Sequence, residues 1–305
     1  MTNPADESKS GSTHIATPNC LMSNPYKILD ATCISFSGGR TSAYMLYKVL
    51  EAHNMSLPDE AKVIFCNTGK EEEATLQFVN ECSKRWDVEI TWLEFAVENN
   101  EKISKVVNFE TASRNGEPFE ACINYFQPSL PNGRTRYCSS QMKTRTMHRH
   151  LKSLGWTEWD SFIGIRADEP RRVAKFRANP HPESKHETVC MPLVPNNVSS
   201  KEVGAFWASQ PFDLELPNIN GKTMHGNCDL CMLKPKAQIL SLITEKPERA
   251  QWWIKQEQEA AKRCEGDGKF FAIDRPTYAQ MYKYAEEQSD LFDANEEGIS
   301  CFCGD

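Results

Sequence analysis

The chain has 305 residues, of which 39% are hydrophobic, so it is long enough to bury a large core without disulfides or metals to stabilise it. No apolar run approaches the roughly 18 residues of a membrane-spanning helix, which predicts a soluble protein with no membrane partner. The formal net charge of −7 argues against nucleic-acid binding driven by overall charge.

Residues 1–27 are polar, rich in Ser, Thr, Asn and Pro, and lack the basic start and apolar stretch of a signal peptide. We predict that they form a disordered leader. Twelve cysteines in a chain without a secretion signal are typical of a reducing compartment, where thiols bind metals or take part in catalysis. We therefore expect a cytoplasmic protein.

Short runs rich in β-branched and aromatic residues are predicted to be buried parallel strands: residues 33–36, 63–66, 90–95 and 161–165. Two segments between them, residues 42–52 and 72–86, have apolar residues at helical spacing. This alternation predicts an α/β fold with a doubly wound, mainly parallel sheet.

Residues 108–131 contain Gly, Pro and Asn interruptions and are predicted to be a long loop or lid. Further helices are predicted at residues 145–154, 201–208, 237–244, 247–264 and 278–288, and Ser199 or Ser200 is expected to cap the second of them. The sequence thus predicts an α/β domain over residues 28–235 and a helical C-terminal region over residues 236–305.

The turn after the first predicted strand has the composition of an anion-binding loop. Glycines let backbone amides approach an anion closely, and the following helix directs its N-terminal amides at it. An ordinary βα turn is the alternative, since neither a dinucleotide fingerprint nor a P-loop lysine motif is present. The turn consists of Ser37, Gly38, Gly39, Arg40, Thr41 and Ser42.

Further motifs follow in chain order. The second predicted strand ends in Asn67, Thr68 and Gly69, and a segment that begins at Gly164 carries Arg166, Arg171 and Arg172. Cys228 and Cys231 form a C-x-x-C motif, which can place two thiolates on one metal or cluster. Cys138 stands in a basic segment with Arg136 and Lys143.

In this order the motifs resemble those of the PP-loop adenine nucleotide alpha hydrolase superfamily, and within it the phosphoadenylylsulfate (PAPS) and adenylylsulfate (APS) reductases. The resemblance implies an adenylyl nucleotide (PAPS, APS or ATP) bound by residues 37–42 and 67–69, with its phosphosulfate held by Arg166, Arg171 and Arg172. Many ATP-cleaving members have Asp where this chain has Thr41, which favours the reductase branch. Pro170 stands where the reductases have Ser.

The resemblance also implies a [4Fe-4S] cluster on Cys138, Cys228 and Cys231. One cysteine stands where the family has two, so the fourth position is left to Cys122, His225 or a tail cysteine, or is open. Zinc, which accepts the same donors, is the alternative metal. Lys143 and neighbouring basic side chains are expected to offset the charge of the cluster and to reach the sulfate.

The C-terminal Cys303 and Gly304 resemble the mobile tail that carries a nucleophilic cysteine in the sulfonucleotide reductases, so we assign Cys303, Cys301 and Lys143 to catalysis. The resemblance implies a PAPS/APS-reductase-like enzyme of sulfur metabolism with a thioredoxin-like reductant. One alternative is a PP-loop ATP-dependent sulfurtransferase that modifies nucleic acid, by tRNA thiolation or DNA phosphorothioation. Another is a non-catalytic nucleotide-binding accessory protein.

Overall fold

A six-stranded sheet forms the centre of the computed structural model, which describes residues 24–181, 185–219 and 222–287. The strands lie in the order β4-β3-β2-β1-β5-β6, and neighbours are parallel except for the antiparallel pair β3 and β4. This confirms the predicted α/β class with a mainly parallel sheet. The strands are β1 Thr32–Ser35, β2 Ala61–Asn67, β3 Ile90–Glu98, β4 Glu101–Val107, β5 Trp159–Ile163 and β6 Glu187–Cys190.

Strand β1 lies at the centre of the parallel part of the sheet. Its Ile34 is in register with Val63 of β2 on one side and with Phe162 of β5 on the other. The chain therefore leaves β1 towards β2 and returns to its other side at β5. Such a reversal of strand order opens a crevice at the carboxyl ends of the strands, where α/β proteins bind their ligands.

Helices follow most of the strands. Helix α4 continues through a π-helical turn, Ser140–Thr144, into α5, and a small hairpin, β7 Asn218–Ile219 with β8 Lys222–Thr223, precedes the C-terminal helices. None of the described helices is long and apolar enough to cross a lipid bilayer. The helices are α1 Arg40–Ala52, α2 Glu73–Trp86, α3 Glu117–Tyr125, α4 Tyr137–Ser139, α5 Arg145–Ser153, α6 Pro170–Ala178, α7 Ser200–Ser209, α8 Lys236–Glu245, α9 Arg249–Arg263 and α10 Tyr278–Glu287.

The prediction of a loop over residues 108–131 is wrong in its second half, where α3 forms. Gly116 takes a left-handed conformation (φ +88°) at the N-cap, and Pro118 lies in the first turn, where a missing N–H costs nothing. Apolar Phe119, Cys122 and Ile123 then fall on one buried face of the helix. Glycine and proline here begin a helix and do not interrupt one.

Three hydrophobic cores form in the described part of the chain, of which the smallest packs α5 against the sheet and includes Cys66 and Met147. The first lies between the sheet and helices that include α1, α2 and α7, and it contains Tyr26, which belongs to the end of the segment predicted as a leader. The second packs α3 against the C-terminal helices and includes Cys228, Cys231 and Trp253. The C-x-x-C turn is therefore held by the same core as the helical region that follows it.

Candidate functional site

The turn between β1 and α1 allows a ligand to approach its backbone closely. Gly38 has φ +81°, and a Cβ at this position would lie 2.7 Å from Cγ2 of Thr75. The N-cap of α1 is Gly39, which supplies no side-chain cap, so the amides of the first helical turn are available to an anion. Ser42 Oγ donates to the Gly39 carbonyl at 3.0 Å and lies 2.9 Å from Ser37 Oγ, which holds the turn in shape.

A cavity of about 300 Å³, hereafter the loop cavity, opens above this turn. The N-termini of two helices, α1 and α7, border it. That of α1 has no side-chain cap, whereas Asp168 Oδ2 and Ser199 Oγ accept hydrogen bonds from the first two amides of α7. Ser199 forms a capping box with Glu202, which confirms the predicted start of α7. The lining residues include Ser37, Gly38, Gly39, Arg40, Thr41, Glu71, Thr75, Lys143, Arg166, Ser200, Lys201 and Asn227.

Arg166 joins the end of β5 to the loop. Its Nη1 donates to Thr41 Oγ1 at 2.9 Å, and its Nε donates to Asp168 Oδ1 at 2.9 Å. Partial burial alone would raise the pKa of Asp168, but hydrogen bonds from the Ser200 amide and from Arg166 together hold that pKa below its usual value. Thr41, at the fifth position of the turn, therefore orients a guanidinium at the cavity wall.

The other arginines implied by the resemblance lie in different environments. Arg40 lines the loop cavity but is held by Asp213 through two hydrogen bonds of 2.7 and 2.8 Å. Arg172 pairs with Glu169 and lines a second cavity, described below. Arg171 is exposed on α6 and lines neither cavity.

Hydrogen bonds hold the segment after β2 in place. Asn67 is fully buried and donates to Glu94 Oε1 at 2.6 Å and to the Ser113 carbonyl at 2.8 Å. Thr68 donates from its amide and its hydroxyl to Glu71 Oε2, at 2.9 and 2.8 Å. The loop cavity is not lined by Asn67, Thr68 or Gly69. It is lined by Glu71, which follows them in the same segment.

A second cavity, of about 340 Å³, lies at the carboxyl ends of β1, β2 and β5, and we call it the strand-end cavity. It shares Ser37 and Lys143 with the loop cavity. Its one acidic lining residue, Glu187, is already engaged: it accepts from Ser161 Oγ at 2.6 Å and lies 3.0 Å from His148 Nε2. The cationic lining residues are Arg136, Lys143, Arg172 and Lys175.

The three cysteines predicted to bind a cluster share a third, small cavity of about 30 Å³, the cysteine cavity. Thr68 also lines it, and its Oγ1 lies 3.4 Å from Cys228 Sγ. Cys122 is buried in α3 and is absent from this lining. Burial raises the pKa of Cys122 to about 12, so it stays protonated at neutral pH. The lining includes Cys138, Cys228, Cys231, Thr68, Arg136, Lys143, Asn227 and Trp253.

Thiols are the usual protein ligands of an iron-sulfur cluster, and three of them line this cavity together with the cationic Arg136 and Lys143. Within residues 24–181, 185–219 and 222–287, however, no three His, Cys, Asp or Glu side chains are grouped so as to hold a metal ion. The cysteines therefore share a cavity without the spacing of a finished metal site. Cys301 and Cys303 lie outside the described residues.

Lys143 connects the three cavities, since it lines each of them. Lys143 lies in the π-helical turn, and the Nζ atom of Lys143 lies 3.8 Å from Glu71 Oε1. Such turns often occur at functional sites. Asn227, directly before Cys228, lines both the loop cavity and the cysteine cavity. The loop cavity and the cysteine cavity therefore have two lining residues in common.

Sequence reasoning missed several of these residues. Glu71, Lys175, Glu187, Lys201 and Asn227 line the cavities but belong to none of the motifs. The capping box at Ser199 indicated where α7 begins, but not that its first turn borders the loop. That approach depends on tertiary structure, which local sequence does not reveal.

Comparison with known proteins finds similarity to a curated phage protein and to solved structures, two of which are named here. The uncharacterized nin region protein ORF290 of Escherichia phage lambda is 28% identical over 216 residues, which cover 68% of this chain and 67% of the phage protein. The PAPS reductase of Candida auris, solved with phosphate, is 17% identical, covers 64% of this chain and 84% of its own, and has a TM-score of 0.39. The U34-tRNA thiolase NcsA of Methanococcus maripaludis, solved with its [4Fe-4S] cluster, is 12% identical, with coverages of 87% and 84% and a TM-score of 0.39.

At this level of similarity neither solved structure bears on the substrate. The family comparison is more direct, because residues 31–210 match the phosphoadenosine phosphosulfate reductase domain. The matched segment begins just before β1, ends just after α7 and contains both the glycine turn and Arg166. It makes up more than half of the chain, which therefore belongs to the phosphoadenosine phosphosulfate reductase family.

Proposed function

We propose that this protein is a PAPS/APS-reductase-like enzyme of sulfur metabolism that binds an adenylyl nucleotide on the turn between β1 and α1. The observation that carries the proposal is the shared lining of the cavities. Lys143 and Asn227 belong both to the loop cavity and to the cavity that contains Cys138, Cys228 and Cys231. An anionic group on the loop amides would thus be placed beside three thiols.

The residues of the loop cavity suit a phosphate or sulfate ester. The first-turn amides of α1 supply fixed partial positive charge, and Arg166 and Lys201 supply full charges. Thr41 holds the Arg166 guanidinium in place at 2.9 Å, so little ordering is needed when the anion binds. These groups would bind the charged end of the nucleotide and orient its sulfur.

Cys138, Cys228 and Cys231, which line the cysteine cavity, would hold a [4Fe-4S] cluster, with Arg136 and Lys143 offsetting its negative charge. When bound, such a cluster supplies a redox-active, thiolate-ligated centre next to the substrate. Cys303, with Cys301 beside it, remains the predicted nucleophile, and a thioredoxin-like protein the predicted reductant.

An anaerobic assay tests the proposal. Purified protein with iron and sulfide counted per chain is given APS or PAPS with thioredoxin, and sulfite release is measured. We expect sulfite from one of the two substrates, and loss of both cluster and activity in Cys138→Ser. The matched control is Cys264→Ser, a half-exposed cysteine that lies beside Ser129 and lines none of the three cavities. Absence of sulfite from both substrates would overturn the proposal.

Assays on the same preparation distinguish the alternative functions that the sequence predicts. A sulfurtransferase would release AMP and pyrophosphate from ATP when tRNA or DNA is added. An accessory protein would bind the nucleotide and turn over neither substrate. If metal analysis finds zinc in place of iron, we conclude that the cysteines bind zinc and not an iron-sulfur cluster.

A further inference from the structure

Positive charge is concentrated in two segments, residues 134–149 and 166–177. Together they hold ten of the 35 Lys and Arg residues and two of the 42 Asp and Glu residues. The rest of the chain therefore has 25 basic residues against 40 acidic ones. A net charge of −7 thus conceals a strongly basic part within an acidic protein.

The fold brings the two segments together. Arg136 and Lys143 of the first segment and Arg172 and Lys175 of the second all line the strand-end cavity. The two acids of the second segment are already bound, because Asp168 pairs with Arg166 and Glu169 pairs with Arg172. The cavity therefore lies inside a basic surface that separated parts of the chain create.

The basic surface extends beyond the cavity. Further arginines, each within two positions of a lining residue, have exposed side chains outside it: Arg134, Arg145, Arg171 and Arg177. None of these four arginines lines the loop cavity or the strand-end cavity. Positive charges that lie both in the strand-end cavity and outside its lining match a ligand that carries phosphates at intervals along its length.

We propose that this surface binds single-stranded nucleic acid, with its backbone phosphates on the exposed arginines and its path across the mouth of the strand-end cavity. A single strand fits better than a duplex, because its unpaired bases can enter a concavity such as the strand-end cavity. Phe176 lines the cavity, and Lys175 Nζ lies 5.9 Å from the centroid of its ring, so an aromatic side chain and a cation stand together in the lining. This binding activity goes beyond the adenylyl-nucleotide reaction proposed above, although the strand-end cavity shares Ser37 and Lys143 with the loop cavity.

Fluorescence anisotropy with labelled single-stranded RNA and DNA of about 20 nucleotides tests the proposal over a range of salt concentrations. The test variant is Arg134→Gln/Arg177→Gln, which removes one exposed charge from each segment. The control is Lys84→Gln/Lys262→Gln, which removes two exposed charges from α2 and α9. Far-ultraviolet circular dichroism shows that each variant is folded.

We expect binding of at least one oligonucleotide at about 50 mM salt and a steep loss of affinity as salt rises. The test variant should bind about 10-fold more weakly, and its salt slope should fall by about 1.4, since each lost phosphate contact on a single strand contributes about 0.7. The control variant should bind like the wild type. Sulfite release and iron content, measured separately, report on the proposed reaction and not on this surface.

Three results would overturn the inference. One is no binding of either oligonucleotide at about 50 mM salt. Another is an equal loss in the test and control variants, which would reflect total charge alone. The last is a loss of mononucleotide affinity in the test variant without a loss of oligonucleotide affinity, which would assign the arginines to the small substrate.

Discussion

The Asp229 carboxylate lies 2.9 Å from the Lys70 ammonium, and both side chains are about nine-tenths buried. Asp229 is the residue after Cys228 in the C-x-x-C turn, and Lys70 directly follows the Asn-Thr-Gly segment. The Asp229 amide also donates to the Lys70 carbonyl at 2.7 Å, and the Trp253 indole donates to the Asp229 carboxylate at 2.8 Å. This pair therefore ties the end of β2 to the proposed cluster turn and to the C-terminal helices.

Asp229→Asn should destabilise the protein by about 3 kcal/mol, because it leaves the buried Lys70 charge without its carboxylate. Urea unfolding measures the change. The control is Glu81→Gln, which breaks the exposed Arg85–Glu81 pair on α2 and should cost less than about 1 kcal/mol. Equal and small effects in the two variants would show that the buried pair does not hold the turn.

Gly38→Ala should abolish nucleotide binding, since its Cβ would meet Thr75 at 2.7 Å and its backbone would remain at φ +81°. Gly155→Ala provides the control, because Gly155 has φ +88° but a Cβ added there would have no neighbouring atom within 4 Å. That variant should lose about 1 kcal/mol of stability from backbone strain and bind nucleotide normally. Calorimetric titration with an adenylyl nucleotide checks both. Normal binding by Gly38→Ala would remove the glycine turn from the site.

Arg166→Gln should weaken adenylyl-nucleotide binding about 10-fold or more, the loss of one charge-assisted contact of roughly 1.5 to 3 kcal/mol. The guanidinium is oriented by Thr41 and Asp168 and lines the loop cavity. Arg114→Gln is the matched control, because Arg114 is bound in a similar way by Glu73 but lines neither large cavity. The idea fails if both variants bind the nucleotide with wild-type affinity.

Much of the fold is predictable from the sequence, because buried strands and amphipathic helices leave local patterns. The runs around Ile34 and Phe65 and the N-cap at Ser199 are examples, and each predicted strand and helix forms within a few residues of its predicted bounds, whereas the loop predicted over residues 108–131 contains α3. Strand β4 is the opposite case. Most of its residues are exposed or half-buried, so it lacks the apolar run that would reveal it.

The site is less predictable, because its contacts join distant parts of the chain. Arg166 and Thr41 are 125 positions apart, and Arg40 and Asp213 are 173 positions apart. A motif shows which residue types are present, but not that Asp213 holds Arg40 or that Asn67 is turned towards Glu94. Those outcomes depend on how helices and loops pack above the sheet.

The carboxyl group of Glu257 on α9 links stability to pH. It is buried and accepts hydrogen bonds from the Tyr278 amide at 3.0 Å and the Phe271 amide at 3.4 Å, so it fastens two later segments to α9. Burial raises its pKa from 4.5 to about 7, with the two amides acting in the opposite direction. A group with a raised pKa stabilises the fold fully below its unfolded value and loses that contribution as pH rises through the folded value.

The stability difference between wild type and Glu257→Gln should therefore fall between pH 5 and pH 8, by on the order of 2 to 3 kcal/mol. Using the difference cancels the titration of all other groups, and urea unfolding at several pH values measures it. Glu259→Gln on the same helix is the control, because a hydrogen bond from Lys262 lowers the pKa of the exposed Glu259 and keeps it ionised over this range. Its difference from wild type should stay level. A Glu257→Gln difference that is equally level would mean that Glu257 is ionised in the folded protein at pH 5, and that the amides of Tyr278 and Phe271 outweigh its burial.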